Sequence, residues 1–196
     1  AERPSRSSHF ERDQVKVPKK FIILPQLADD MDISQALAII VSEKVLEQLP
    51  QIDEAMRRET SLLLAMSGKT ERGIEATLRI MTQRMRRVLH GNEQLLERLD
   101  TAYHAARPSG AYTLQCMMPN VASGRAALLL NQNGPNFVVD AGADSLEAAF
   151  KSAALLLGSG DKAGTKLVIV AAIDTQSSHL ADRPVDNTGD LHGSEF

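Results

Sequence analysis

The chain has 196 residues, 43% hydrophobic and 24% charged, with a formal net charge of −3. That length can bury a real core and reads most simply as one domain, and the near-balanced charge gives no bias toward nucleic acid or a membrane surface. A single cysteine, Cys116, excludes an internal disulfide and a cysteine-rich metal site, and no apolar run of about 18 residues or secretory leader is present, so a cytoplasmic location is expected.

Residues 1–20 are polar and without periodicity, and read as a flexible or extended N-terminal arm in which His9 is a solvated loop residue rather than a ligand. Residues 21–49 hold a helix that Asp32 or Ser34 caps, with Ile33, Leu37 and Ile40 on one face and Pro50 at its end. Residues 50–60 are a charged connection. Ser61–Met66 reads as a short buried strand. The Gly68-Lys69-Thr70 that follows has the ending of a phosphate-binding loop, but Leu63 stands where that motif needs its first glycine, so a plain strand and turn is the reading.

Residues 71–100 are predicted as one long helical region, broken near Gly91. Ile74, Leu78, Met81, Met85 and Leu89 repeat at helical spacing, and the methionines read as core filling. Arg79 and Arg86 sit opposite, with Arg72, Arg84 and Arg87 adding charge. That face reads as solvated and paired with Glu71, Glu75, Glu93 and Glu97. Residues 101–116 form a linker with a turn at Pro108-Ser109-Gly110. His104 reads as a surface histidine and Cys116 as a structural cysteine, because nothing nearby in sequence lowers its pKa.

Met117 to Gly160 is the most informative stretch. A helical run, 121–130, precedes an Asn-Gly-Pro turn at 133–135 and a strand, Phe137 to Asp140. The chain bends through Ala141-Gly142-Ala143 into a second helix. Asp144 and Glu147 are spaced as a capping box, and Leu146, Phe150, Ala153 and Leu157 share a face expected to be buried. A third strand is predicted at 166–172. The C-terminal stretch, 177–196, reads as a flexible tail. Asp186 and Asp190 within it suggest a loop, not a metal cage.

These motifs resemble a β-ketoacyl synthase domain of the thiolase fold. Pro119-Asn120, Ser123-Gly124-Arg125, Gly134-Pro135 and Val139-Asp140 stand in the family's order and with family-like spacing, ahead of the small residues Ala141 and Gly142. The resemblance implies a partial thiolase-like α/β fold over 21–176, a mixed sheet with packed helices. It also places the family's nucleophilic cysteine at Ala143, followed by Asp144 where the family has a small or hydroxyl residue. The two histidines that the family uses for condensation belong to later motifs that neither His179 nor His192 reproduces. The expectation is therefore a truncated, non-catalytic ketosynthase-like domain of a polyketide or fatty-acid megasynthase, without cofactor or metal. Its partners would be neighbouring synthase domains, an acyl carrier protein docking on the basic face of Arg79 and Arg86, and a second copy paired through the strand at 137–140. A chain-length-factor-like partner of an active ketosynthase, a malonyl decarboxylase formed with a longer chain, and an unrelated α/β binding module are the other readings.

Overall fold

The computed structural model describes residues 15–49, 51–158 and 165–175. The elements run α1 (Pro25–Asp30), α2 (Ile33–Glu47), α3 (Glu54–Arg58), β1 (Thr60–Ala65), α4 (Glu71–Val88), α5 (Glu93–Ala105), α6 (Thr113–Met117), α7 (Pro119–Leu129), β2 (Asn136–Val139), α8 (Ser145–Gly158) and β3 (Leu167–Ala172). The three expected strands form one sheet in the order β2-β1-β3. Both pairings are parallel, with Leu64 beside Val138 and Leu62 beside Ile169. A mixed sheet was expected. Helices carry the chain back between successive strands, and such crossovers yield parallel neighbours.

All six residues of β1 are buried, as befits a central strand covered on both faces. Leu62, Leu64 and Met66 join Ala38, Ile39, Ala122 and Ala126 in one cluster, so α2 and α7 cover that face. Leu63 and Ala65 alternate to the other face, where α8 packs through Ala149 and Ala153. Val15 and Val17 rest against the same core, inside the predicted arm. Residues 1–14 and 176–196 lie outside the described residues, and with them His9, His179, His192, Asp186 and Asp190.

Of the two capping candidates, Asp32 caps α2, its carboxylate accepting from Ser34 N at 2.9 Å and from the Ser34 hydroxyl. The charged connection contains α3, capped by Asp53. Gly91, at φ +88°, separates α4 from α5 as the break predicted there. The linker beyond it is largely helical, since α5 runs to Ala105 and α6 follows.

The sequence puts the apolar stripe of α4 inside and its arginines outside; the structure leaves Arg84, Arg86 and Arg87 exposed and Leu78, Met81 and Leu89 half-buried, but it buries Arg72 and exposes part of the stripe. Ile74, Met85 and Val88 are exposed, whereas Arg72, Ala76 and Thr82 are buried. The inner face meets acidic and carbonyl groups that only long-range folding supplies. Arg79, half-buried, donates to the Ala106 carbonyl and lies 4.7 Å over the Tyr103 ring, while exposed Arg86 pairs with Asp100 at 2.6 Å on the solvated side. In α8, too, Leu146, Phe150 and Leu157 point outward, because close approach to the sheet selects the small Ala149 and Ala153.

Gly134 sits where no side chain fits. A Cβ there would stand 2.6 Å from the Thr60 carbonyl oxygen and 2.8 Å from Ser61 Oγ. Gly134 N also donates to Thr60 O at 3.2 Å, which locks the turn against the start of β1. Gly134→Ala is expected to cost about 1–3 kcal/mol, because the obstruction is buried backbone. Gly124 is the contrast, since its Cβ would meet only Asn136 Oδ1 at 3.5 Å, and it lies inside α7. Gly124→Ala should stabilise by up to about 1 kcal/mol through helix propensity. Urea unfolding of both variants checks the pair.

Candidate functional site

Three parallel strands end on one edge of the sheet, and the chain leaves β2 there to start α8. The bend is Ala141 followed by a 3-10 turn, Gly142–Asp144, with Gly142 at φ +59°. Left-handed backbone of this kind favours glycine. Gly142 N donates to Asp140 Oδ1 at 3.2 Å, and Ala141 N donates to Ser145 Oγ at 2.9 Å. The Ser145 hydroxyl in turn donates to Gly142 O at 2.7 Å. Ser145, not Asp144, thus ties down the start of α8, and Asp144 sits exposed one residue upstream within the 3-10 turn. A one-residue shift of the helix start explains the misplaced cap. Glu147 pairs with Lys151 at 2.6 Å rather than reaching back.

Ala143 is exposed and lines a cavity of about 250 Å³ with Ala65, Ser67, Leu146, Ala172 and Asp174. The position lies in the turn that leads into a 14-residue helix, where backbone amides and the helix dipole favour an anion. Its side chain is a methyl group. Asp174 lines the cavity, and exposed Asp140 and Asp144 bracket the bend.

The remaining motif residues hold the scaffold. Arg125 donates to Gln35 Oε1 and, at 3.5 Å, to Gln115 Oε1. Gln35, fully buried, directs Nε2 toward the carbonyls of Gln115, Cys116 and Met118 at 3.0–3.2 Å. It joins α2, α6 and the start of α7, and no local sequence signal announces it. The Asn120 carbonyl accepts from Ser123 Oγ at 3.1 Å, its side chain is exposed, and exposed Pro135 accepts from Leu62 N through its carbonyl at 3.1 Å. None of these side chains reaches Ala143 through a hydrogen bond recorded among the described residues.

Thr70 caps α4 by accepting from Gly73 N at 3.0 Å and donates to Met117 O at 2.7 Å, which fits the plain-turn reading of Gly68-Lys69-Thr70. His104 stays exposed in the last turn of α5, its ring edge-on to Tyr103.

Cys116 is fully buried in α6, and burial pushes its thiol up from the ordinary value, against a lowering influence of the Arg125 guanidinium. At neutral pH it is a protonated core residue. A raised thiol pKa favours the folded state most below the unfolded value of about 8.5, and that contribution is lost as pH rises toward the folded pKa. Stability of the wild type should therefore fall above about pH 8.5 more steeply than that of Cys116→Ala, whose baseline is lower from the lost packing. Urea titrations from neutral to alkaline pH compare the slopes. Native Cys116 should also resist a thiol reagent that labels it rapidly in urea.

Residues 2–183 match the family described as Beta-ketoacyl synthase, N-terminal domain. The chain belongs to the β-ketoacyl synthase family. A comparison with curated proteins returns no match. The matched model is that of the family's N-terminal domain. Among the described residues no helix is long and apolar enough to cross a membrane.

Proposed function

We infer that this ketosynthase-family chain is a non-catalytic structural and dimerisation domain of a cytoplasmic polyketide or fatty-acid megasynthase. The observation that carries the reading is the bend at Ala143. The resemblance puts the family's nucleophile there, and the strand, left-handed Gly142 and helix that would present it are all in place. The acyl-accepting atom is not, and Asp140 and Asp144 place carboxylates in the bend beside it.

The outward apolar face of α8, Leu146, Phe150 and Leu157, supports a chain that works inside a larger assembly. The matched family is named for an N-terminal domain, and a further portion of the same polypeptide is the cover we propose for that face. The chain-length-factor-like reading shares this observation, with an active ketosynthase as the partner. Self-association through the edge of β2 belongs to the leading reading, since among the described residues no strand pairs with its outer side and pairing would cover Asn136–Val139.

Two measurements test it. Incubation with an acyl thioester and a malonyl thioester should yield no β-ketoacyl product. Sedimentation across a wide concentration range should show a monomer–dimer equilibrium. Product turnover by this chain alone removes the non-catalytic part, and a monomer at every concentration removes the dimerisation part.

A further inference from the structure

Residues 15–23 precede α1 as a strap with no helix or strand of its own. Val15, Val17, Phe21 and Ile23 lie against the core, while Lys16, Lys19, Lys20 and Ile22 are exposed. Among the described residues the strap's one backbone–backbone hydrogen bond is internal, from Phe21 N to Pro18 O at 3.1 Å. Its polar tie to the body is Lys20, which pairs with Glu43 and, at 3.4 Å, with Glu47 of α2. Glu43 is 7% exposed, and Lys20 is its one cation among the described residues.

Beneath the strap is a cavity of about 900 Å³. Val17, Phe21 and Ile23 line it from the strap, and Met31, Ile33 and Ala36 line it from the end of α1 and the start of α2. The volume is within the roughly 300–1,000 Å³ of small-molecule sites, which likewise combine apolar walls with a few charges. Here the charges are unequal. Exposed Lys16 and Lys19 line the cavity against a single carboxylate, Asp29, and none of the three is in an ion pair among the described residues.

We propose that this cavity binds a small apolar anion and that the strap is its flap. The apolar body of the ligand covers Phe21, Met31 and Ile33 from water, and its anionic group takes its countercharge from Lys16 and Lys19. Two lysines outweigh Asp29, so an anion is favoured over a cation of the same shape. The Lys20–Glu43 pair holds the flap shut, because opening leaves Glu43 without its cation. No backbone hydrogen bond to the body has to break. The lining shares no residue with the cavity at Ala143, so the site stands apart from the non-catalytic and dimerisation readings.

Anilinonaphthalene sulfonate, an apolar anion whose fluorescence rises in apolar surroundings, is the probe, titrated into the whole chain. The expected result is saturable binding of a single probe per chain. Ala36→Phe, which occupies the cavity, and Lys16→Glu with Lys19→Glu, which reverses the charge of its lining, should each weaken binding by about tenfold or more. Both lysines are exposed, so the second variant keeps the test open where the first fails to fold. Leu146→Glu with Phe150→Glu breaks the outward apolar face of α8 and should leave the affinity unchanged. In stopped flow, Lys20→Gln should speed association and release by about tenfold, and Lys20→Arg should restore the slow rates. Binding that survives both cavity variants, or that is lost with the α8 variant instead, overturns the site. Rates unchanged in Lys20→Gln overturn the flap. A chain that does not bind the probe overturns both.

Discussion

Arg72→Ala is expected to destabilise the domain by about 3–5 kcal/mol, because it removes one partner from a buried ionic network. The Arg72 side chain is fully buried. Its guanidinium lies 2.8 Å from Asp30 and 3.2 Å from Glu75, and donates to Thr113 Oγ1 at 2.8 Å and to the carbonyls of Pro108 and Arg107 at 2.7 and 3.2 Å. Asp30 also accepts from Thr113 at 2.9 Å, and Glu75 from Arg107 Nε at 2.7 Å. Truncation strips Asp30 of its cation and frees the 107–113 loop from α4. Glu75 keeps Arg107, which holds the loss below that of a fully orphaned pair. With domain stabilities of about 5–15 kcal/mol, the melting temperature should drop on the order of 10 °C. Arg72→Met, which keeps the stem and deletes the charge, should lose a comparable amount if the ionic contacts dominate. Urea unfolding followed by circular dichroism checks both. A loss under about 1 kcal/mol for either would mean that the network is dispensable.

The second large effect is one of chemistry. On the proposed reading position 143 is where the family's covalent route would need its thiolate, and alanine has no nucleophilic atom. Ala143→Cys puts sulfur into the turn that leads into α8, where the helix terminus lowers a thiol pKa and the nearby carboxylates of Asp140 and Asp144 raise it. The expected outcome is slow, stoichiometric acylation without condensation, because the resemblance assigns the family's acid-base histidines to later motifs that this sequence does not reproduce. β-Ketoacyl product from the variant alone, quantified by chromatography, would contradict this.

Much of this was legible before the fold was in view. Apolar and β-branched runs placed all three strands, and Gly91 and the Asn-Gly-Pro turn placed two breaks. The site bend was readable because its small residues follow the family order around Val139-Asp140. The faces of the helices were not. Helical periodicity identifies an apolar stripe but not which side meets the sheet. In α8 the close approach chose Ala149 and Ala153 over Leu146, Phe150 and Leu157. In α4 the inner face was decided by Asp30, Arg107 and Tyr103, far away in sequence. Gln35 was invisible for the same reason, since its partners lie 80 or more residues away. The short helices α1 and α7 did carry a signal, a proline in the first turn of each.

Intact-mass spectrometry after incubation with an acyl thioester tests the central claim most directly. The wild type should gain no acyl group, since Ala143 cannot accept one and Cys116 is buried and held protonated. Ala143→Cys should gain a single group, which peptide mapping places at position 143. An adduct on the wild type that forms and turns over, at Cys116 or elsewhere, would contradict the account and make this chain an enzyme.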